Sequence, residues 1–281
     1  MKAIYDVSAP SKLNLFLHIT GRRADGYHLL QSVFMLIDWC DRLHFELRPD
    51  GAVSREDLAG QLPPDDLILQ AARALQKAAG RRLGAHIGVE KSIPAQAGMG
   101  GGSSDAASTL LALNRLWKLN LPLFELLKIG LSLGADVPFF LQGRNAWVEG
   151  IGETITPVDV PAAQFVVIKP PDGLETARIF QSAALKRDTP TAIITGFAEK
   201  PFGFGHNDLQ SVAQSLSPGV NQGLAWLEAQ GLQGRMTGSG SAVFAKIEAD
   251  ADRLSNFGSP AGFEVRVCNN LQMHPLAGWA I

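Results

Sequence analysis

One stretch limits what this chain can fold into. Pro94-Ala95-Gln96-Ala97-Gly98-Met99-Gly100-Gly101-Gly102-Ser103-Ser104-Asp105-Ala106-Ala107 runs a cluster of glycines and serines straight into an apolar-periodic segment. Ala106, Leu110, Leu113 and Trp117 share one helical face, which predicts a helix from near Ser104 to about residue 118, with Ser104 or Ser103 as its N-cap. His86-Ile87-Gly88-Val89 ahead of it reads as a short strand. A strand, a glycine turn and a helix N-terminus make an anion site. Glycine takes positive φ and lets a ligand approach the backbone, successive N–H groups point into one concavity, and the helix dipole adds positive charge. A phosphate chain suits such a turn, as does the plainer role of a glycine loop capping a helix. Walker A is excluded because no Lys follows the glycines, and G-x-G-x-x-G/A closes in neither register, on Ser103 or on Asp105. A carboxylate in the first helical turn suits the dipole but repels phosphate, so Asp105 is expected to point away or to share a magnesium ion.

Two further residues sit in unusual company. Lys12 lies between the Pro10 bend and the apolar strand Leu13–Ile19, where lysine is rare unless it is paired or snorkels off an edge. Asp136, in Gly134-Ala135-Asp136-Val137-Pro138-Phe139-Phe140, is flanked by core-like residues and must be paired, capping or catalytic.

The rest of the chain reads as mixed α and β. Residues 3–19 predict a strand, a bend at Pro10 and a second strand. The polar turn Gly21–His28 leads into a strand over Leu29–Ile37, and residues 40–62 carry scattered strand character. A helix is expected from Asp65-Asp66-Leu67 to Ala79, stopping at Gly80, and another from Pro122 to Leu133, stopping at Gly134. Beyond a boundary near 155–165 come a strand at Phe165–Ile168 and a helix starting at Glu175, with Thr176 and Phe180 one turn apart. An irregular stretch at 187–206 precedes a helix near 219–230, a second glycine turn at Gly234–Ala245 and a strand at Phe263–Val267.

Composition narrows the class. The 281 residues are 46% hydrophobic, with Lys plus Arg at 25 against Asp plus Glu at 27, so neither a nucleic-acid nor an anionic-membrane surface is expected. Cys40 and Cys268 lack ligand spacing, which argues against a zinc site or a disulfide framework. The first residues lack the apolar core of a signal peptide and no apolar run reaches membrane length, so a cytoplasmic protein is expected.

Pro94–Ala107 resembles the ATP loop of the GHMP kinases. Gly134-Ala135-Asp136-Val137-Pro138-Phe139 is similar to the family segment that carries the catalytic Asp, and Thr237–Ala245 to its third motif. Asn207-Asp208-Leu209 matches a family helix start. The N-terminal run, Pro10-Ser11-Lys12-x-Asn14 through Gly21-Arg22-Arg23-x-Asp25-Gly26-Tyr27-His28 to Ser32, is similar to the branch whose acceptor is a cytidine-diphosphate-linked sugar alcohol of the non-mevalonate isoprenoid route.

The resemblance implies an α+β fold of two domains, at 1–158 and 159–281, with ATP and substrate in the cleft between them. It implies ATP with Mg2+ as cofactors and small molecules as the only partners, in a monomer or weak homodimer. Lys12 and Asp136 are then catalytic. Lys91, Pro94, Ala95, Gln96, Ala97, Gly98, Met99, Gly100, Gly101, Gly102, Ser103 and Ser104 bind the nucleotide, with Ser104 as the candidate metal contact. Lys91 could equally be a solvated strand end. Asn14, Tyr27, His28, Thr176 and Phe180 bind the acceptor, although Phe180 also suits plain core packing. Asp66 stands where the family usually has Asn, which puts an adenine contact there in doubt. A kinase for homoserine or mevalonate, and a sensor that binds without turnover, are the competing readings. Tyr27-His28 argues against the first, and the presence of both Lys12 and Asp136 against the second.

Overall fold

The computed structural model describes residues 1–248 and 260–280. A long hairpin of β1 (Ala3–Arg22) and β2 (His28–Arg48) is the frame of the first sheet. β4 (Gly84–Glu90) pairs antiparallel with one part of β2 and β5 (Ala146–Gly150) with another, while β3 (Val53–Ala59) lies parallel on β4 and β6 (Thr154–Pro157) closes the far edge. Helices α1 (Leu67–Ala79), α2 (Gly101–Leu116), α3 (Leu123–Leu133) and α4 (Val137–Gln142) belong to this half. A second sheet runs β10 (Glu264–Asn269), β7 (Gln164–Lys169), β9 (Val243–Ile247), β8 (Arg235–Met236), all antiparallel, with α5 (Thr176–Gln181), α6 (Ile194–Glu199), α7 (Gln210–Leu216) and α8 (Pro218–Ala229) in the same half.

Three buried clusters follow from the strand alternation. Val7, Ala9 and Phe34 join Leu75, Leu110 and Phe139 in the first core. Leu17 and Ile19 of β1 enter the core of the second half with Ile168, Leu209 and Leu227. Between them Leu13, Phe16, Trp39 and Trp147 pack with Phe165 and Phe244, so an apolar seam joins the two sheets. The chain end returns to the first half: Leu271 N donates to Leu36 O (2.8 Å) and His274 N to Gly143 O (2.8 Å). Among the described residues no helix is long and apolar enough to cross a membrane.

Helix signals held where capping chemistry was strong. Asp66 accepts from Leu69 N (3.2 Å) as the N-cap of α1, and Gly80 closes it at φ +59°. Four expectations are corrected. The break at Pro10 does not interrupt β1: the pairing jumps from Pro10↔Cys40 to Ser11↔Ile37, so that β2 bulges at Asp38 and Trp39 opposite the proline, which brings no N–H to the ladder. α2 begins at Gly101, not near Ser104, since Gly100 at φ +71° is the N-cap and Ser104 N already donates to Gly100 O (2.9 Å). The stretch 187–206 is not wholly irregular, for it contains α6. Pro122 is the N-cap of α3, one position ahead of the expected first helical turn.

Candidate active site

A cleft of about 1340 Å³ opens between the N-terminus of α2, the start of β2, α5 and the turn before β9. Residues 94–103 line it together with Lys12, Asn14, Tyr27, His28, Lys91, Asp136, Thr176 and Phe180. Of the residues expected to be catalytic or to bind the nucleotide or the acceptor, only Ser104 stays off the lining. Its side chain is fully buried, its hydroxyl has no partner, and its N–H is spent inside the helix.

The glycine loop is shaped by what surrounds it. Gly98 sits at φ +72°, and a Cβ there would lie 2.2 Å from Thr237 O. Gly100 also has positive φ, and a Cβ on it would press on Phe140 (3.0 Å) and on Lys12 Cγ (3.3 Å). These contacts leave no room for a side chain, so the loop backbone itself faces the cleft. The turn before β9 holds the loop from behind, with Ser241 N donating to Gln96 O (3.0 Å) and Ala242 N to Ala97 O (3.2 Å). On the front, the N–H groups of Gly101, Gly102 and Ser103 precede the first intrahelical bond of α2 and are free for an anion.

Lys12 enters beside this loop. Its N–H donates to Met99 O (3.0 Å), which ties β1 to the loop. The side chain is buried, the ammonium donates to Asn14 Oδ1, lies 4.7 Å from the centre of the Phe34 ring, and stands 3.9 Å from Asp136 Oδ2. Burial pushes the Lys12 pKa down while Asp136 pulls it back up. Asp136 occupies the N-cap position of α4 but makes no side-chain capping bond, so its carboxylate is left for Lys12 and for the cleft. Asn14 is held on both sides: its Nδ2 donates to Ser32 Oγ (2.8 Å) and its backbone N–H to Thr237 Oγ1 (2.9 Å).

Asp105 points away from the loop. Lys91 donates to its Oδ2 (2.6 Å) and also to Asp41 Oδ2, and Asp41 Oδ1 accepts from Ser92 N (2.6 Å) and Ile93 N (2.8 Å). One ammonium thus serves two buried carboxylates. Burial raises the Asp105 pKa to about 8, with Lys91 opposing and Asp41 adding to the rise. Burial disfavours the Lys91 ammonium, but the two acids outweigh it and its pKa is raised. Lys91 lines the cleft, yet its charge is committed behind the loop.

At the other end of the cleft His28 and Phe180 lie ring to ring, with centroids 5.0 Å apart. Tyr27 is 61% exposed and has no ring contact among the described residues, so its face is open for stacking. Thr176 Oγ1 lies 2.7 Å from Ser239 Oγ, which bridges α5 to the second glycine turn. Asp66 does not line the cleft. Its carboxylate caps α1 and pairs with Arg55 (2.7 Å), which also donates to the carbonyls of Leu62 and Pro63.

Comparison with known proteins agrees with this geometry. The model of the GHMP kinases N terminal domain matches residues 66–144, and that of the GHMP kinases C terminal domain matches residues 194–260. A 4-diphosphocytidyl-2-C-methyl-D-erythritol kinase of Albidiferax ferrireducens is 68% identical over 281 residues, covering 100% of this chain and 97% of that protein. The chain belongs to the GHMP kinase family. A second member of that name, from Variovorax paradoxus, is 64% identical over 100% of both chains. The crystal structure of a 4-(cytidine 5'-diphospho)-2C-methyl-D-erythritol kinase superposes with a TM-score of 0.81 at 33% identity, covering 94% of this chain and 98% of the other. Within the GHMP kinases, this chain stands with the 4-diphosphocytidyl-2-C-methyl-D-erythritol kinases.

Two residues of this GHMP kinase site carried no signal in the sequence. Asp41, which orients Lys91, lies fifty positions upstream in β2, among other charged residues that do not mark it out. Arg187 donates to His28 Nε2 (3.0 Å) from the aperiodic stretch Lys186-Arg187-Asp188-Thr189-Pro190.

Proposed function

We propose that this GHMP kinase transfers the γ-phosphoryl group of ATP to the 2-hydroxyl of 4-diphosphocytidyl-2-C-methyl-D-erythritol, giving the 2-phosphate and ADP in the non-mevalonate route to isoprenoid precursors. The observation that carries this reading is the co-location, in one cleft, of the glycine loop, the Lys12–Asp136 pair and the Tyr27-His28-Phe180 wall. An alcohol acceptor without a base has no use for that wall. The domain boundary falls at 158/159, between β6 and β7.

Phosphoryl transfer depends on positioning and charge stabilisation more than on covalent help. The backbone of residues 94–103 holds the triphosphate. Asp136 accepts the proton of the acceptor hydroxyl as its oxygen attacks the γ-phosphorus in line. The bond from that phosphorus to the β–γ bridging oxygen breaks, and ADP leaves with the electron pair. Lys12, buried and braced by Asn14, neutralises negative charge that builds on the transferring group. Cytosine stacks on Tyr27 and Phe180, a contribution of about 1–3 kcal/mol per base, while His28 reads its edge.

Among the described residues no group of three or more His, Cys, Asp and Glu could hold a metal ion unaided. Asp136 and Ser103, two of the oxygen-bearing side chains on the lining beside the glycine loop, would hold a magnesium ion brought in with the nucleotide. When bound, it neutralises phosphate charge. Release of ADP with ATP, magnesium and the cytidyl alcohol, but not with homoserine or mevalonate, is the expected result. Turnover of either control in preference to the cytidyl alcohol would overturn the substrate assignment.

A further inference from the structure

Arg187 is bound on every side. Its Nη1 donates to Leu185 O (2.8 Å), and its Nη2 to Phe180 O (3.1 Å) and Ser182 O (2.8 Å). Its Nε donates to His28 Nε2 (3.0 Å). The first three bonds fold the chain after α5 back on itself and anchor the helix end that carries Phe180. The fourth crosses to the start of β2.

The fourth bond has a chemical consequence. A guanidinium is always protonated and only donates. The ring nitrogen that receives its N–H must therefore offer a lone pair, so His28 Nε2 carries no proton. A neutral imidazole then holds its proton on Nδ1, and no residue among those described engages that nitrogen. Burial lowers the His28 pKa, and Arg187 and Arg22 lower it further, which keeps the ring neutral. Cytosine presents acceptors at N3 and O2, whereas uracil presents a donor at N3. A ring locked with an N–H free for a ligand favours the first and opposes the second. An unlocked ring could turn its lone pair to either base.

We infer that Arg187 is the positioning residue of base recognition: by donating to Nε2 it locks His28 in the Nδ1–H tautomer, and by holding the end of α5 it sets the Phe180 wall beside that ring. The choice of cytosine over uracil rests on the cytidyl-acceptor reading above, whereas the tautomer does not. Arg187 touches no reacting atom, and its effect reaches the ligand through His28.

The test has two parts. Nitrogen NMR on the wild-type protein labelled with 15N-histidine, at pH 7 and without ligands, is expected to show His28 with a protonated Nδ1 and an unprotonated Nε2. A predominantly Nε2–H ring would overturn the inference, whatever the substrate. The second part compares kcat/KM for the cytidyl acceptor and its uridyl counterpart. In Arg187→Met this preference is expected to fall by about tenfold, an effect of the size that one misdirected polar group produces, while KM for ATP stays within about twofold. Arg187→Lys keeps a donor and should retain more of the preference than Arg187→Met, and it serves if the methionine variant does not fold. Equal loss in both variants, or an unchanged preference, overturns the inference. Absence of any cytidyl preference in the wild type would instead sink the substrate reading, with the NMR result still deciding the role of Arg187.

Discussion

Lys12 Nζ stands 3.9 Å from Asp136 Oδ2, where the middle of β1 meets the first turn of α4. Each residue accounts for the other. A buried lysine is costly without a carboxylate nearby, and Asp136 holds no capping bond that would explain it as a helix terminus. Asp136→Ala is expected to slow turnover by about 100- to 10,000-fold, the range for a lost general base, with ATP affinity retained. ADP release and a nucleotide titration measure the two effects, and near-normal turnover would remove Asp136 from the chemistry.

In the proposed function His28 is assigned to the acceptor and not to the nucleotide, because the ring faces Phe180 and Arg187 at the end of the cleft formed by α5. His28→Ala should raise KM for the cytidyl acceptor by about tenfold or more while leaving KM for ATP near its wild-type value. Equal effects on both constants would contradict a role in base recognition.

Asp105 makes stability depend on pH. Its folded pKa, raised to about 8 by burial, exceeds the unfolded carboxyl value of about 3.9, so the folded state holds the extra proton between them. The resulting stabilisation is complete below the unfolded value and is lost as pH rises through about 8. The Tm of the wild type should therefore drop more steeply between pH 6 and pH 9 than that of Asp105→Asn, which cannot lose this proton. Parallel Tm–pH curves would show that Lys91 already holds Asp105 as an anion against burial and Asp41.

Asp66 marks a departure from the family pattern that the fold absorbs. It caps α1 and pairs with Arg55, and both partners are half-buried. Asp66→Ala should cost about 0.5–2 kcal/mol from the cap alone, and more where Arg55 loses an anion. Asp66→Asn should keep the cap and the activity. A marked rise in KM for ATP in Asp66→Asn would instead place this carboxylate in adenine binding.

What was legible in the sequence was local chemistry. The α1 boundaries follow from a carboxylate cap and a terminal glycine, and the glycine loop could be read because so few backbones need glycine at both 98 and 100. The start of α2 was misplaced because serine capping preference competed with Gly100, whose left-handed conformation decides the outcome. The paradox of Asp105 was visible, but its resolution depended on Lys91 and Asp41 meeting across two strands and a helix. Arg187 lies 159 residues from His28 in a stretch with neither period nor motif, and only the tertiary structure brings the two together.

The account stands most directly on one comparison: kcat/KM at saturating ATP for the cytidyl alcohol against the same branched alcohol carrying a single phosphate in place of the cytidine diphosphate. If base pocket and transfer centre share the cleft as described, the truncated acceptor loses about 100-fold or more, because binding energy from the remote base positions the hydroxyl at Asp136. Equal kcat/KM for the two acceptors would contradict the account, leaving the Tyr27-His28-Phe180 wall without a part in the reaction.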